Sequence, residues 1–218
     1  MKTYFLYLLF IPCFVISQTN NKIDDNGMKQ GEWKKYYQNG HIRYTGQFID
    51  DKPQGLFYFY YESGELKVEK EFFHDGKAAS TYFFYKNGSL QSSGLYVNEL
   101  KDSTWNYYSK DSVLVMSEQY LQGKLNGTTK TYYYDGSIYE IKNWKHNILY
   151  GSWKQFFMDG KLKMQSSYKD NIRDGEQIYY YPNGNIYYQG FYSNGIKSGI
   201  WNFFTEEGIS DTIIDYNE

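Results

Sequence analysis

GEWKKYYQNGHIRYTGQF (residues 31–48) holds two aromatic-rich runs on either side of Asn39-Gly40, and GEQIYYYPNGNIYYQGFY (residues 175–192) repeats the arrangement. Asn-Gly tolerates the positive φ angles of a type I′ turn, whose twist matches that of the flanking strands. The stretch therefore reads as a β-hairpin with its tip at Asn39-Gly40. Asn87-Gly88, Asp135-Gly136, Asp159-Gly160 and Asn183-Gly184 mark further tips. With that turn, Tyr37 faces Ile42, Lys35 faces Tyr44, Trp33 faces Gly46 and Gly31 faces Phe48. A large ring over a glycine on the opposite strand covers bare backbone where a second side chain would crowd it. Trp153 opposite Ser166 follows the same logic.

Outward from this unit the register is strict. Gly31, Gly55, Ala79, Ser103, Gly127, Gly151, Gly175 and Gly199 open eight units of 24 residues. Nine residues later come Gly40, Gly64, Gly88, Ser112, Gly136, Gly160, Gly184 and Gly208, with no insertion anywhere. A fixed period in this range marks an array whose units need neighbours to bury their faces. The expected fold is all-β: an elongated, twisted antiparallel meander of eight tandem hairpins, left open at its ends. Residues 18–30 form a lead-in with a partial unit, since Asn26-Gly27-Met28-Lys29-Gln30 resembles the connector Gln122-Gly123-Lys124-Leu125-Asn126. The full array occupies 31–218. Ser112 replaces the tip glycine in the fourth unit, which marks that unit as a candidate bend or weak point.

The composition agrees with a half-buried pleated surface: 27 Tyr, 15 Phe and 5 Trp against a strongly negative mean hydropathy. Such rings pack one edge and keep a hydroxyl wet. The pairing places Tyr36 opposite Arg43 on the face away from Trp33. The same position holds Tyr60, Phe84, Tyr108, Tyr132, Phe156, Tyr180 and Phe204. Two strands per unit separate successive members by about 10 Å. This column is the candidate interaction surface. Its alternative is structural, with the rings packed beneath the stems of Arg43, Lys67 and Lys163.

Lys2, the apolar stretch from Tyr4 to Ile16 and the sequence Val15-Ile16-Ser17 read as a secretory leader over 1–17, cleaved after Ser17. About 13 apolar residues fall short of the ~20 a spanning helix needs, and no later stretch approaches that length, so no transmembrane segment is expected. The expected location is exported: periplasmic, cell-surface or secreted. Cys13, the one cysteine, lies inside the leader and follows Pro12, so the rest of the chain holds itself together by packing. Removing the leader leaves 22 Lys and Arg against 25 Asp and Glu, interspersed rather than clustered. That distribution makes no phosphate-binding stripe, and nucleic acid is not an expected partner.

The units resemble MORN-variant repeats: an opening glycine, an aromatic two residues on, paired aromatics, Asn-Gly or Asp-Gly, an aliphatic, and a closing Gly-x-aromatic. Gly46-Gln47-Phe48, Gly94-Leu95-Tyr96 and Gly190-Phe191-Tyr192 carry the closing motif. The resemblance covers roughly residues 26–216. Lys70, Glu118, Lys142 and Ser166 replace the closing glycine in units two, four, five and six. The resemblance implies an open meander without an enclosed active site, used for protein association and assembly. Bacterial members carry an antitoxin label, which implies binding and neutralising a partner.

No catalytic, cofactor or metal site is expected. Gly-x-Ser-x-Gly, glycine-rich phosphate loops, paired zinc ligands and a placed Ser–His–Asp set are all missing from the sequence. His74 and His146 share a repeat position but lie about 29 Å apart by strand spacing. Asp50-Asp51 and Asp170-Asn171 offer oxygens without a recurrent multi-carboxylate spacing, and Asp and Asn are ordinary turn formers. The leading expectation is an exported scaffold that binds another protein through its sheet surface or, through edge strands, a copy of itself. A carbohydrate or cell-envelope binder using aromatic rows is the rival, and an antitoxin-like inhibitor a third reading.

Overall fold

In the computed structural model, residues 20–217 are described, and every regular element among them is a strand. The leader assigned to residues 1–17 lies outside this range. A short β1 (Lys22–Ile23) pairs with β2 (Lys29–Tyr36), which forms the first hairpin with β3 (Ile42–Ile49). Next come β4 (Lys52–Tyr60) with β5 (Leu66–Phe73), β6 (Ala78–Phe84) with β7 (Leu90–Val97), and β8 (Leu100–Tyr108) with β9 (Leu114–Leu121). The second half repeats this with β10 (Lys124–Tyr132), β11 (Ile138–Lys145), β12 (Ile148–Phe156) and β13 (Leu162–Lys169). β14 (Ile172–Tyr180), β15 (Ile186–Ser193), β16 (Ile196–Phe204) and β17 (Ser210–Asp215) complete eight hairpins. All pairings are antiparallel, and each strand's principal contacts are with its chain neighbours. The fourth unit keeps the common hairpin because Ser112 adopts φ 64 in place of glycine.

The tips correct the expected turn. Gly40 N donates to the Tyr37 carbonyl at 3.1 Å, and Tyr37 N donates to the His41 carbonyl at 2.8 Å. Only Gly40 of the Asn-Gly pair is left-handed, at φ 84. The tip is thus a three-residue loop ending in a left-handed glycine rather than a type I′ turn. Asn39 contributes its Oδ1, which accepts from His41 N at 3.0 Å. The longer loop moves the register, so Tyr36 rather than Tyr37 is the partner of Ile42, while Trp33–Gly46 and Lys35–Tyr44 stand as expected. Paired positive φ angles occur instead in the connectors: 48° and 62° at Asp50-Asp51, 51° and 68° at Asp170-Asn171.

The opening glycines are bulges. Thr45 pairs with Tyr58 and Gln47 with Gln54, so three residues of β4 face the single Gly46. Gly55 reaches the required left-handed conformation at φ 62, and Ser103 does so at φ 58. Ala79 does not adopt it, and β5 and β6 pair without a shift. The extra residues move into the connector, which lengthens to His74–Lys77 between the paired Phe73 and Ala78.

A single sheet has no second layer, so its core lies along one face. Trp33, Phe48 and Phe57 are buried there, Phe48 meeting the other two edge-to-face, and Tyr44, Phe59 and Phe72 pack around them. The ring covering each glycine comes from the following unit. A Cβ on Gly46 would overlap Phe57, one on Gly94 would overlap Trp105, and one on Gly190 would overlap Trp201. Trp105 crosses Gly94 and donates its Nε1 to the Leu95 carbonyl at 3.0 Å; Trp201 crosses Gly190 and donates to Phe191 at 3.2 Å. Both tryptophans are 1% exposed. Where the closing glycine is absent, the next unit usually supplies a smaller or polar group: Thr81 beside Lys70, Thr129 beside Glu118, Gln177 beside Ser166.

Gly94→Ala is expected to destabilise the chain by about 1–3 kcal/mol through overpacking against Trp105. Ser93→Ala in the same strand is expected to stay within about 0.5 kcal/mol of the parent. Urea unfolding followed by tryptophan fluorescence checks both.

Candidate interaction surface

Strand alternation places Tyr36, three residues beyond Trp33, on the face opposite the core. Each member of its column pairs across the hairpin with residue 42 or its equivalent: Tyr36–Ile42, Tyr60–Leu66, Phe84–Leu90, Tyr108–Leu114, Tyr132–Ile138, Phe156–Leu162 and Tyr180–Ile186. The eighth pair, Phe204–Ser210, lacks the aliphatic. An aromatic column and an aliphatic column thus run side by side next to the hairpin tips. Ile42 of the first unit and Tyr60 of the second line one hollow with His41 and Ser63. Tyr36 is 55% exposed, and the other seven aromatics are half-buried by their neighbours. Burial accordingly raises the Tyr180 phenol above its ordinary pKa, with Glu176 adding to the effect. The Tyr132 hydroxyl lies 3.2 Å from Ser117 Oγ.

What fixes this strip is a neighbouring tyrosine column whose role the sequence reading did not identify. The Tyr37 hydroxyl donates to the Tyr60 carbonyl at 2.8 Å, and Tyr61 donates to Phe84 at 2.9 Å. Tyr85 reaches Tyr108 and Tyr133 reaches Phe156, both at 2.9 Å, while Tyr181 reaches Phe204 at 3.0 Å. Every bond runs 23 residues forward, from one unit to the main chain of the next unit's strip residue. Ser109 and Phe157 interrupt the series. A recurring Tyr at this position was the available signal, but its acceptor is a carbonyl and so leaves no mark in side-chain pairing.

The cations also sit elsewhere than expected. Arg43 lies 5.9 Å from the Tyr37 ring, Lys67 5.5 Å from Tyr61 and Lys163 5.8 Å from Phe157. They cover the staple column rather than the Tyr36 column, because the irregular register at residues 42–44 shifts Arg43 from its expected place opposite Tyr36.

On the core face the titratable groups are tied to one another. Lys101 lies 4.6 Å from the Trp105 ring and donates to the Tyr107 hydroxyl at 2.7 Å, while Tyr120 donates to Glu118 at 2.7 Å. Burial lowers the Lys101 ammonium and raises the Tyr107 and Tyr120 phenols, Tyr120 to about 12. In the connectors, Asp51 Oδ1 accepts from Lys29 N at 2.9 Å and Asn171 Oδ1 accepts from Leu149 N at 2.8 Å. These oxygens cap backbone. Among the described residues no three His, Cys, Asp or Glu side chains gather where a metal ion could be held.

A family model described as MORN repeat variant matches residues 29–50, 53–74, 80–98, 125–146, 149–170 and 173–194, together more than half of the chain. No curated protein matches the sequence. The unmatched fourth and eighth units nevertheless form the hairpins β8–β9 and β16–β17.

Tyr85→Phe keeps the ring and removes the bond to Tyr108, so it is expected to cost about 0.5–1.5 kcal/mol. Tyr134→Phe, at a ring 69% exposed, is expected to cost close to nothing. Paired denaturant curves measure the difference.

Proposed function

The chain belongs to the MORN repeat variant family, and from that premise we propose that it is an exported, non-enzymatic scaffold that binds another protein along the outer strip. The observation that carries this reading is the pairing of two apolar columns down the face opposite the core. With successive units about 10 Å apart, the strip extends on the order of 70 Å. Aromatic residues are enriched at the energetic centres of protein interfaces because they bring large contact area at little entropic cost. The tyrosine staples hold the strip's backbone before a partner arrives, which lowers the ordering cost of binding. Export rests on the leader read over residues 1–17. The non-enzymatic reading rests on the family and on the lack of a catalytic motif in the sequence.

The test replaces Tyr36, Tyr60, Tyr132 and Tyr180 together with Ser and compares capture from envelope fractions, with cross-links mapped to the bait. Bonds to the main chain survive these changes, so circular dichroism is expected to remain that of a folded sheet. Four interface tyrosines at more than about 1 kcal/mol each predict loss of the captured protein by well over tenfold. Capture that is undiminished in the folded variant, or cross-links confined to the other face, would refute the strip as the binding surface.

A further inference from the structure

On the core face one position alternates between large and small along the second half of the array: Trp153, Gln177, Trp201. Gln177 occupies the place where a third ring would sit. A hollow of about 390 Å³ opens over it, lined by Trp153, Met164, Tyr179, Tyr188, Arg173 and Lys197 among others. That volume falls within the roughly 300–1,000 Å³ of small-molecule sites. We infer that this hollow binds a saccharide bearing carboxylate groups, on the face opposite the protein-binding strip.

Three features of the lining support that class. The walls are aromatic: Tyr179 and Tyr188 stack at 5.3 Å with 21° between their planes, and Trp153 is half-buried. Such faces suit the apolar C–H surface of a sugar ring. The floor is a neutral amide, 6% exposed, whose Nε2 donates to the Tyr188 hydroxyl at 3.0 Å and whose Oε1 finds no donor among the described residues. An unpaired buried acceptor costs about 1–3 kcal/mol, and a hydroxyl donor would satisfy it.

The third feature is charge. Arg173 donates to the Tyr168 hydroxyl at 2.9 Å and the Tyr192 hydroxyl at 3.4 Å; Lys197 lies 4.3 Å from the Trp201 ring and donates to the Tyr216 hydroxyl at 3.2 Å. Both are half-buried. No carboxylate lines the hollow, and the ion pairs among the described residues are Lys52–Asp75, Lys142–Glu140 and Lys161–Asp159. The Tyr168 hydroxyl holds the Arg173 guanidinium firmly charged. Two partly desolvated cations one unit apart, without a counter-charge, are complementary to an anionic ligand, and a guanidinium matches carboxylate geometry.

The experiment uses the full chain and tri-galacturonic acid, with its methyl ester as an uncharged counterpart and inorganic phosphate as a plain anion. Binding is read by calorimetry and tryptophan fluorescence. The acid is expected to bind at least tenfold more tightly than the ester, and Arg173→Gln with Lys197→Gln to lose tenfold or more while circular dichroism is unchanged. Equal affinity for acid and ester, no binding of the acid, or unchanged affinity in the folded double variant overturns the assignment. Phosphate binding as tightly as the acid also overturns it, by reducing the hollow to an anion site. Should the double variant fail to fold, the comparison of acid with ester on the parent chain decides.

Discussion

Units one, three and seven are closed by their successors: an aromatic ring of the next hairpin, Phe57, Trp105 or Trp201, lies across the bare backbone of Gly46, Gly94 or Gly190. The rest of the structure depends on this contact because a one-layer sheet cannot bury a face against anything else. Trp105 over Gly94 and Trp201 over Gly190 become almost fully buried without a second layer, and each indole satisfies its donor on the carbonyl just beyond the glycine. In the first unit, the buried Nε1 of Trp33 has no partner among the described residues. The tyrosine staples apply the same rule from hydroxyl to main chain. Stability in such an array is a sum of unit terms and nearest-neighbour terms, and here the neighbour terms carry the buried rings.

Much of this was legible in the sequence, and what was not has identifiable causes. The 24-residue register, the strands, the Trp33–Gly46 pairing and the aromatic column follow from spacing and alternation. The tip was misread because Asn-Gly fits both a two-residue turn and the end of a three-residue loop; only the bond from Tyr37 N to His41 distinguishes them. Lys70, Glu118 and Ser166 looked like departures from the repeat pattern. They are one half of a compensation whose other half, Thr81, Thr129 and Gln177, sits in the next unit. Reading units one at a time hides a pairing that exists only between them. Ala79 shows the converse: it stays out of the left-handed conformation that Ser103 accepts at the same position, and the extra residues lie in the connector instead.

The division of the two faces follows from the same geometry. The core face spends its aromatic rings on covering glycine and holding Lys29, Lys101 and Lys197 against tryptophan. The opposite face has no such duty, yet it keeps an aromatic at one position of every unit with an aliphatic beside seven of them. Half-buried rings on a backbone pinned by tyrosine hydroxyls make a surface that is apolar and ordered at once. Gaps in the core-face rings, as at Gln177, open hollows with a different chemistry, polar at the floor and cationic at the rim. A single repeat type thus builds two faces of different chemistry.

The central claim, that order passes between hairpins through rings crossing the preceding unit, is tested most directly by hydrogen exchange on Trp105→Ala. The account predicts lost amide protection in β7, which lies beneath the ring in the preceding unit, together with loss in β8 and β9. Loss confined to β8 and β9, with β7 exchanging as in the parent chain, would contradict it.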